Sequence, residues 1–210
     1  MSSPATPFRF TELGGLVMEE PPPGAKTLVL HMCCAPDSAY IFKALRAGAP
    51  CDIAGFFYDP NIHPREEYDL RLDEALRVGE ALGVSVYEGE YDASEFFRRT
   101  RGLEREPEGG ARCIVCFDMR LERTARFCRE RKFDAFATVL TVSPHKNAAL
   151  INHIGREMAA RCGVVYVASD FKKKDGFKRS VEEGEAMGLY RQERCGCAYG
   201  KPSDAHPALR

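Results

Sequence analysis

Apolar residues recur along the chain in short runs, and these runs alternate with longer segments of helical periodicity. The runs are typical of buried strands, because they are rich in apolar residues and bounded by turn signals. Predicted strands cover 27–32, 52–58, 84–87, 133–139 and 164–168, and predicted helices cover 38–47, 65–82, 91–100, 112–131, 148–162 and 180–189. The alternation predicts an α/β protein with an open, mostly parallel sheet of about five strands flanked by helices.

The same pattern divides the chain into one core and two terminal pieces. Residues 1–25 are rich in proline and glycine, including the run PPPG at 21–24, and we interpret them as a tail or a draped extension. Residues 26–200 predict a single α/β domain, and residues 201–210 predict a C-terminal tail. We find no internal repeat and no second stretch with the core of an independent domain.

Composition narrows the class of partner and compartment. The formal net charge of the 210 residues is -1, so a nucleic-acid partner would have to bind a local basic patch. No apolar run approaches the roughly 20 residues of a membrane span, and no signal-peptide pattern opens the chain. The nine cysteines are an odd number without a secretion signal. We therefore expect a cytoplasmic, reducing environment in which cysteines serve metal or redox chemistry.

Six of the nine cysteines form three close pairs, each at a predicted loop or helix end. The first pair follows the first predicted strand of the core, and an open parallel sheet binds its ligands at that position. The second pair leads into a helix, whose amino terminus favours the thiolate form. The pairs are Cys33-Cys34, Cys113-x-x-Cys116 and Cys195-x-Cys197, whereas Cys51, Cys128 and Cys162 are assigned to the core.

Ligand counting indicates more than one ordinary metal site. Six thiolates and the nearby carboxylate of Asp37 exceed the roughly four donors that a tetrahedral zinc or a cubane iron–sulfur cluster takes. A cluster beside a second metal with an open position, completed by Asp37, would use them all. One zinc plus one redox disulfide pair remains an alternative on counting alone. For Asp37 itself the alternative is the N-cap of the helix predicted from Ser38.

These motifs, in this order, resemble the QueH family of epoxyqueuosine reductases. The resemblance covers about residues 26–200, nearly the whole chain. It rests on LHMCCAPD at 30–37, YDPNIHP at 58–64 with Glu67, Tyr68 and Arg71, RCIVC at 112–116 with Arg120, TVSPHKN at 141–147, FKKKDG at 171–176 and CGC at 195–197. The long proline-rich amino terminus departs from the commonest form of the family.

The resemblance implies a fold like that of the adenine-nucleotide alpha hydrolases. It also implies a [4Fe-4S] cluster next to a mononuclear iron, held by the paired cysteines and Asp37. The implied reaction reduces the epoxide of epoxyqueuosine to queuosine at the wobble position of tRNA, with electrons from an external donor. The segment CCAPD at 33–37 stands where ATP pyrophosphatases carry a Ser-Gly-Gly phosphate loop. We therefore expect the fold without ATP chemistry.

Residues near the predicted strand ends are candidates for catalysis and substrate binding. Asn61 could read the modified base, and His63 could supply a proton beside Tyr58 and Asp37. The basic run at 172–174 lies where tRNA phosphates could be held, although such runs are often only solvated. The candidate catalytic residues are Asp37, Tyr58, Asn61 and His63, and the candidate tRNA or substrate contacts are Tyr68, Arg71, His145, Lys146, Lys172, Lys173 and Lys174.

Two other classes of function compete with a tRNA-modifying oxidoreductase. One is a zinc-stabilised nucleic-acid-binding module without catalysis, which would be colourless, whereas an iron–sulfur cluster absorbs visible light. The other is a thiol–disulfide redox protein using Cys113 and Cys116, which leaves Asp37 and the remaining pairs without a role. The spacing of the cysteines leaves open which of them hold the cluster and which hold the separate iron.

Overall fold

The computed structural model describes residues 9–192 and 194–200, so the predicted C-terminal tail at 201–210 lies outside the described residues. In chain order the elements are β1 (Thr11–Leu13), β2 (Leu16–Met18), β3 (Thr27–Met32), α1 (Ala35–Gly48), β4 (Asp52–Phe57), α2 (Arg65–Leu82), β5 (Ser85–Glu88), α3 (Ala93–Arg99), α4 (Ala111–Glu130), β6 (Ala135–Thr138), a short 3-10 helix (Val139–Val142), α5 (Ala148–Cys162), β7 (Val165–Tyr166) and α6 (Gly176–Ala186).

Five strands form a parallel sheet in the order β5-β4-β3-β6-β7, which confirms the predicted architecture. Strand β3 is central, and its Leu30 lies opposite Gly55 of β4 on one side and Ala137 of β6 on the other. The chain leaves β3 towards one edge and later returns to β6 on its other side. This reversal creates a topological switch point, where the carboxyl ends of neighbouring strands leave a crevice for ligands.

Helices cover both faces of the sheet, which explains why its strands are apolar on both sides. One face packs against α1 and α2, for example through Phe42 and Val78, and α6 lies against α1. The other face packs against α4 and α5, for example through Phe127 and Ile151.

Strands β1 and β2 form an antiparallel hairpin that the sequence analysis did not predict within residues 1–25. Leu16 and Met18 are buried in the core beside α1. The hairpin turn needs Gly14, whose φ is +59° and where a Cβ would lie 2.4 Å from the carbonyl oxygen of Ala44. Backbone hydrogen bonds from Glu19 to Ala168 and from Asp170 to Val17 attach it beside β7.

Helix α1 begins at Ala35, three residues before the predicted start at Ser38. Proline is well accepted in the first turn of a helix, so Pro36 does not delay the start. Cys34 is therefore the N-cap residue, and Asp37 lies inside the first turn. This corrects the alternative in which Asp37 caps the helix. Within the described residues, no helix is both long and apolar enough to cross a membrane.

Candidate metal centre

The three cysteine pairs meet at the carboxyl edge of the sheet, although they come from distant parts of the sequence. A cavity of about 160 Å³ is lined by both members of the second and third pairs, Cys113, Cys116, Cys195 and Cys197. A neighbouring cavity of about 50 Å³ is lined by Asp37, Lys146 and Cys195. All nine cysteines lie in the described part of the chain, and all are free thiols.

The first pair forms a compact donor group with the carboxylate in the first turn of α1. One ligand atom each from Cys33, Cys34 and Asp37 lies within 4.8 Å of the other two. Ser38 fixes the turn, since its hydroxyl donates to the carbonyl of Cys34 at 2.7 Å. A hydrogen bond between the two thiols lowers the pKa of Cys33 and raises the pKa of Cys34. Cys33 therefore carries negative charge more readily than an ordinary thiol, as a metal ligand must.

The second pair occupies the first turns of α4, and an arginine organises the loop before it. The Arg112 guanidinium donates to the carbonyls of Leu103, Glu104 and Glu106. Burial raises the pKa of Cys116 to about 12, and Arg120 opposes this effect. Burial also raises the pKa of Cys113, against a hydrogen bond from the Gly109 backbone N–H at 3.2 Å. Metal binding at these neutral thiols would release their protons.

The third pair is held in place from below by Arg71. Its guanidinium donates to the carbonyl of Cys195 at 3.1 Å and to that of Arg194 at 3.2 Å, and it pairs with Glu67. Gly196 lies over this guanidinium with φ +82°, and a Cβ there would come within 2.7 Å of Arg71 Nη2. Only glycine fits this position without displacement.

The loop after β4 closes the other side of the same segment. The backbone N–H of His63 donates to the carbonyl of Gly196 at 2.8 Å. Ile62 and Cys197 form an isolated antiparallel bridge. The Cys-Gly-Cys segment is thus fixed by a short piece of sheet pairing as well as by Arg71.

Two cations lie beside the thiols. Arg120 is buried in α4, ion-paired with Asp59 at 2.5 Å, and its Nη1 lies 4.0 Å from Cys116 Sγ. Lys146 lines both cavities. Burial alone would lower the pKa of Lys146, but Cys195, Cys33 and Asp37 raise it. Positive charge is therefore available to offset the charge of thiolates.

The sequence analysis missed His31, Asp59 and Arg120 as site residues, although all three lie in the motifs that carry the family resemblance. A signal was present for Arg120, which follows Cys116 by four positions and so lies on the same face of α4. Nothing in the spacing of His31 or Asp59 marks either residue as part of the site. Their role follows from contacts made across the sheet.

Tyr58, which was predicted as a catalytic residue, does not line the cysteine cavity. Its ring stacks on Phe56 with centroids 6.1 Å apart. The same ring lines a separate shallow pocket with Arg99 and Arg123. Phe57 and Tyr58 lie on opposite faces of the sheet, and Tyr58 packs with the α4 and α5 layer without lining the cavity.

The two residues of α2 that were predicted to face the substrate are both buried, and their contact with a substrate stays a prediction. Tyr68 is fully buried and donates its hydroxyl to Glu88 at 3.1 Å. Arg71 is buried beneath the Cys195 segment. Arg71 therefore supports the cysteines.

Asn61 and His63 lie next to the cavity wall without lining the cavity. Asn61 is buried, and its Oδ1 has no hydrogen-bond partner among the described residues. The His63 ring packs against Phe97 with centroids 4.8 Å apart. Burial lowers the pKa of His63, so its imidazole is neutral near pH 7.

The polar loop after β6 does reach the site, since His145, Lys146 and Asn147 line the cavity. The basic run lies behind this loop. Lys172 donates to the carbonyl of Lys146 at 3.0 Å. Lys172 and Lys173 both pair with Asp170, at 3.4 and 3.6 Å, and Lys174 pairs with Glu12 at 3.6 Å. Their predicted contacts with tRNA stay a prediction.

Comparison with known proteins identifies close relatives. Residues 28–203 match the model of a family described as "Epoxyqueuosine reductase QueH". The Epoxyqueuosine reductase QueH of Streptococcus pyogenes serotype M1 is 43% identical over 179 residues, which are 82% of this chain and 69% of that protein. The protein of the same name from Histophilus somni is 39% identical over 181 residues, 86% of this chain and 74% of that protein.

A solved structure shares the fold. The U34-tRNA thiolase NcsA from Methanococcus maripaludis, solved with its [4Fe-4S] cluster, superposes with a TM-score of 0.53 at 16% identity. The match covers 86% of this chain and 63% of NcsA. Together with the order of the parallel strands, this likeness confirms the predicted adenine-nucleotide alpha hydrolase-like fold.

Proposed function

The chain belongs to the QueH family of epoxyqueuosine reductases, and on this premise we propose that it reduces epoxyqueuosine in tRNA at the cysteine site. The reaction breaks both C–O bonds of the epoxide and forms a C=C bond. It consumes two electrons and two protons, and the oxygen leaves as water. The observation that carries this assignment is the meeting of six thiols and one carboxylate at a single edge of the sheet.

The separation of the donors into two groups supports a division of labour. Cys113, Cys116, Cys195 and Cys197 share one cavity and are the four thiolates that a [4Fe-4S] cluster takes. Cys33, Cys34 and Asp37 form the second group and would hold a mononuclear iron with an open coordination position. When bound, the cluster supplies single electrons and the separate iron supplies a Lewis acid for the epoxide oxygen.

The donor chemistry fits these groups. Thiolates are the usual ligands of iron–sulfur clusters. In the second group, the carboxylate adds a harder oxygen ligand beside the two thiolates. The buried Arg120 and the cavity-lining Lys146 offset part of the negative charge that six thiolates would bring together. Without such cations, burying several thiolates in one place would be unfavourable.

Residues of the chain would bind and orient the substrate around this centre. The ammonium of Lys146 lies between the two donor groups, where it can donate to an oxygen or a phosphate. His145 and Asn147 line the same cavity as Lys146 and form its polar rim with it. Asn61 and His63 lie behind the cavity wall and are further candidate catalytic residues. Lys172 supports the rim through the Lys146 carbonyl, and Lys173 and Lys174 extend basic charge outward for tRNA phosphates.

An external one-electron donor and a cytoplasmic location complete the proposal. The electron donor must be external because the chain's own free thiols would have to re-form after each turnover. The cytoplasmic location follows from the proposed tRNA substrate, because the enzyme must be in the compartment where that tRNA is modified. Both statements follow from the proposed reaction rather than from a contact in the structure.

The decisive experiment is anaerobic turnover of epoxyqueuosine-containing tRNA with a chemical reductant. We expect nucleoside mass spectrometry to show loss of one oxygen atom, giving queuosine. Metal analysis of the same protein should find about five irons and four acid-labile sulfides per chain, with visible absorption that bleaches on reduction. A finding of about one zinc, no sulfide and no conversion would instead support the zinc-stabilised binding module.

A further inference from the structure

Arg120 makes three different contacts inside the protein. Its Nε donates to His31 Nε2 at 3.2 Å, its Nη2 lies 2.5 Å from Asp59 Oδ1, and its Nη1 faces Cys116 Sγ at 4.0 Å. The side chains of Arg120 and Asp59 are only 2% and 0% exposed. The guanidinium is thus oriented on two sides by protein groups and directed towards the thiols on the third.

The partner of Arg120 on β3 has a defined protonation state. An arginine Nε–H can only donate, so His31 Nε2 must accept, and its Nδ1 lies 2.9 Å from Thr138 Oγ1. Burial and the nearby Arg120 charge lower the pKa of His31, which agrees with a neutral imidazole. A neutral histidine in this place orients the arginine without adding a second positive charge.

Stability alone does not explain a buried arginine here. Replacing a buried ion pair by apolar groups of similar volume is often neutral or stabilising. Arg120 interacts electrostatically with Cys116, Cys33 and Cys195, which come from all three cysteine pairs. Its position is therefore suited to act on the whole donor set.

We propose that Arg120 is a positioning residue of the iron–sulfur centre, held by His31 and Asp59 so that its buried charge makes the bound centre easier to reduce. This inference rests on the proposed function. Adding an electron makes the centre more negative, and a nearby fixed cation stabilises that form. Ionised Asp59 has the opposite sign and opposes the effect from the other side of the guanidinium. Burial raises the pKa of Asp59 to about 7, against the Arg120 charge, so the redox titration is carried out above about pH 8, where this carboxylate is charged.

The test is a spectroscopic redox titration of the loaded protein, together with its iron and sulfide content. In Arg120→Gln, we expect the ratio of reduced to oxidised centre at a fixed ambient potential to fall at least tenfold, or about 59 mV for a one-electron couple. In Asp59→Asn the same ratio should rise, because the cation is kept and its counter-charge is lost. Arg120→Lys should restore most of the ratio, and His31→Leu should lower it less than Arg120→Gln.

The opposite signs separate an electrostatic role from a merely structural one. A structural defect would lower cluster content in both Arg120→Gln and Asp59→Asn without shifting the potential in opposite directions. If Arg120→Gln does not fold, the direction of the shift in Asp59→Asn decides. Arg129→Gln is the matched control, since Arg129 is exposed in the last turn of the same helix and should leave the potential unchanged.

Two failures can be told apart. If the wild-type protein holds a cluster and converts epoxyqueuosine, but the potential is the same in all four variants, this inference is wrong and the proposed function stands. If the wild-type protein holds no iron or sulfide, the proposed function fails and the inference fails with it.

Discussion

The two ends of the parallel sheet differ in how well their polar side chains are hydrogen-bonded. At the amino end, Asp134 Oδ2 accepts from the backbone N–H groups of Lys26 and Thr27 and from the Thr27 hydroxyl, all at 2.9 Å. At the carboxyl end, Oδ2 of buried Asp59 and Oδ1 of buried Asn61 lack hydrogen bonds within the described residues, and Asp59 Oδ1 has only its ion pair with Arg120. Buried polar groups are normally satisfied, so such exceptions need an explanation.

Cavity size does not distinguish these two ends. The amino end has an open groove of about 770 Å³, lined among others by Lys26, Arg46 and Cys51. The carboxyl end has the smaller cavity of about 160 Å³. The difference is in the chemistry of the lining, since the groove contains one thiol and the cavity gathers four. Convergence of thiols, rather than cavity volume, therefore distinguishes the carboxyl end of this sheet from the amino end.

The largest expected effect is the loss of a thiol, compared between the two ends. Cys116→Ser should lower epoxyqueuosine reduction at least ~100-fold and should lower the bound iron. Loss of a residue that only hydrogen-bonds to a metal ligand typically costs ~10–100-fold in metal affinity or activity, and loss of a ligand itself should cost more. Cys51→Ser should leave both unchanged within twofold or so, because Cys51 lies in the amino-end groove. Steady-state rates and metal analysis check both variants, and equal losses in the two would contradict the comparison.

A smaller effect is expected when alanine replaces Gly196 or Gly163, since both glycines have a left-handed backbone conformation. Gly196→Ala strains the chain and also pushes a Cβ to within 2.7 Å of Arg71, whereas Gly163→Ala has open space around it at the end of α5. Both should lose about 1–2 kcal/mol of stability from the backbone conformation. Only Gly196→Ala should also lose cluster content and activity, by ~10-fold or more, because it moves a cysteine segment.

Thermal unfolding measures the shared loss, and iron content measures the specific one. If Gly196→Ala binds as much iron as the wild-type protein, the Cys-Gly-Cys segment tolerates displacement. Loss of iron in Gly163→Ala would mean that the two ends are not independent.

The smallest effect concerns the amino end alone and depends on pH. Hydrogen bonds from Lys26 and Thr27 lower the pKa of Asp134 below its ordinary 3.8. A lowered folded-state pKa adds stability above the unfolded value, and this stability is lost as pH falls through the folded value. Asp134→Ala should therefore lower the melting temperature at pH 7 by a small amount, because Asp134 is exposed, and the difference from wild type should shrink below about pH 4.

Activity provides the control for that prediction. Asp134→Ala should reduce epoxyqueuosine at the wild-type rate at a temperature well below unfolding. A loss of activity without a loss of stability would show that the amino end contributes to the site.

The sheet could be predicted from the sequence because its strands are nearly continuous apolar runs between turn residues. The hairpin of β1 and β2 could not, since its strands have three residues each and lie among glycines and prolines. The start of α1 was predicted three residues late, at Ser38, although Pro36 is well suited to the first turn of a helix.

The site was predictable only as far as side-chain type indicates chemistry. The pairing of six cysteines predicted a set of soft donors, whereas the prediction of Asp37 as a further donor needed the surplus of cysteines and the family resemblance as well. Arg71 and Tyr68 were placed on the substrate surface because polar residues on a helix are usually exposed, and burial under Cys195 and Glu88 appears only in three dimensions. His31 and Arg120 were missed for the same reason, because their contact joins β3 to α4 across the core.

The wide spacing of the cysteines along the chain has a consequence for how the protein matures. Cys33, Cys113 and Cys195 are 80 and 82 positions apart (113 − 33 and 195 − 113). In the unfolded polypeptide, bringing such remote groups together costs loop-closure entropy, so its affinity for a cluster that binds both the Cys113 and the Cys195 pair is lower than that of the folded chain. We therefore expect the polypeptide to fold before iron is inserted. An inserted centre would then stabilise the folded molecule, because a ligand that binds only the native state shifts the folding equilibrium towards it.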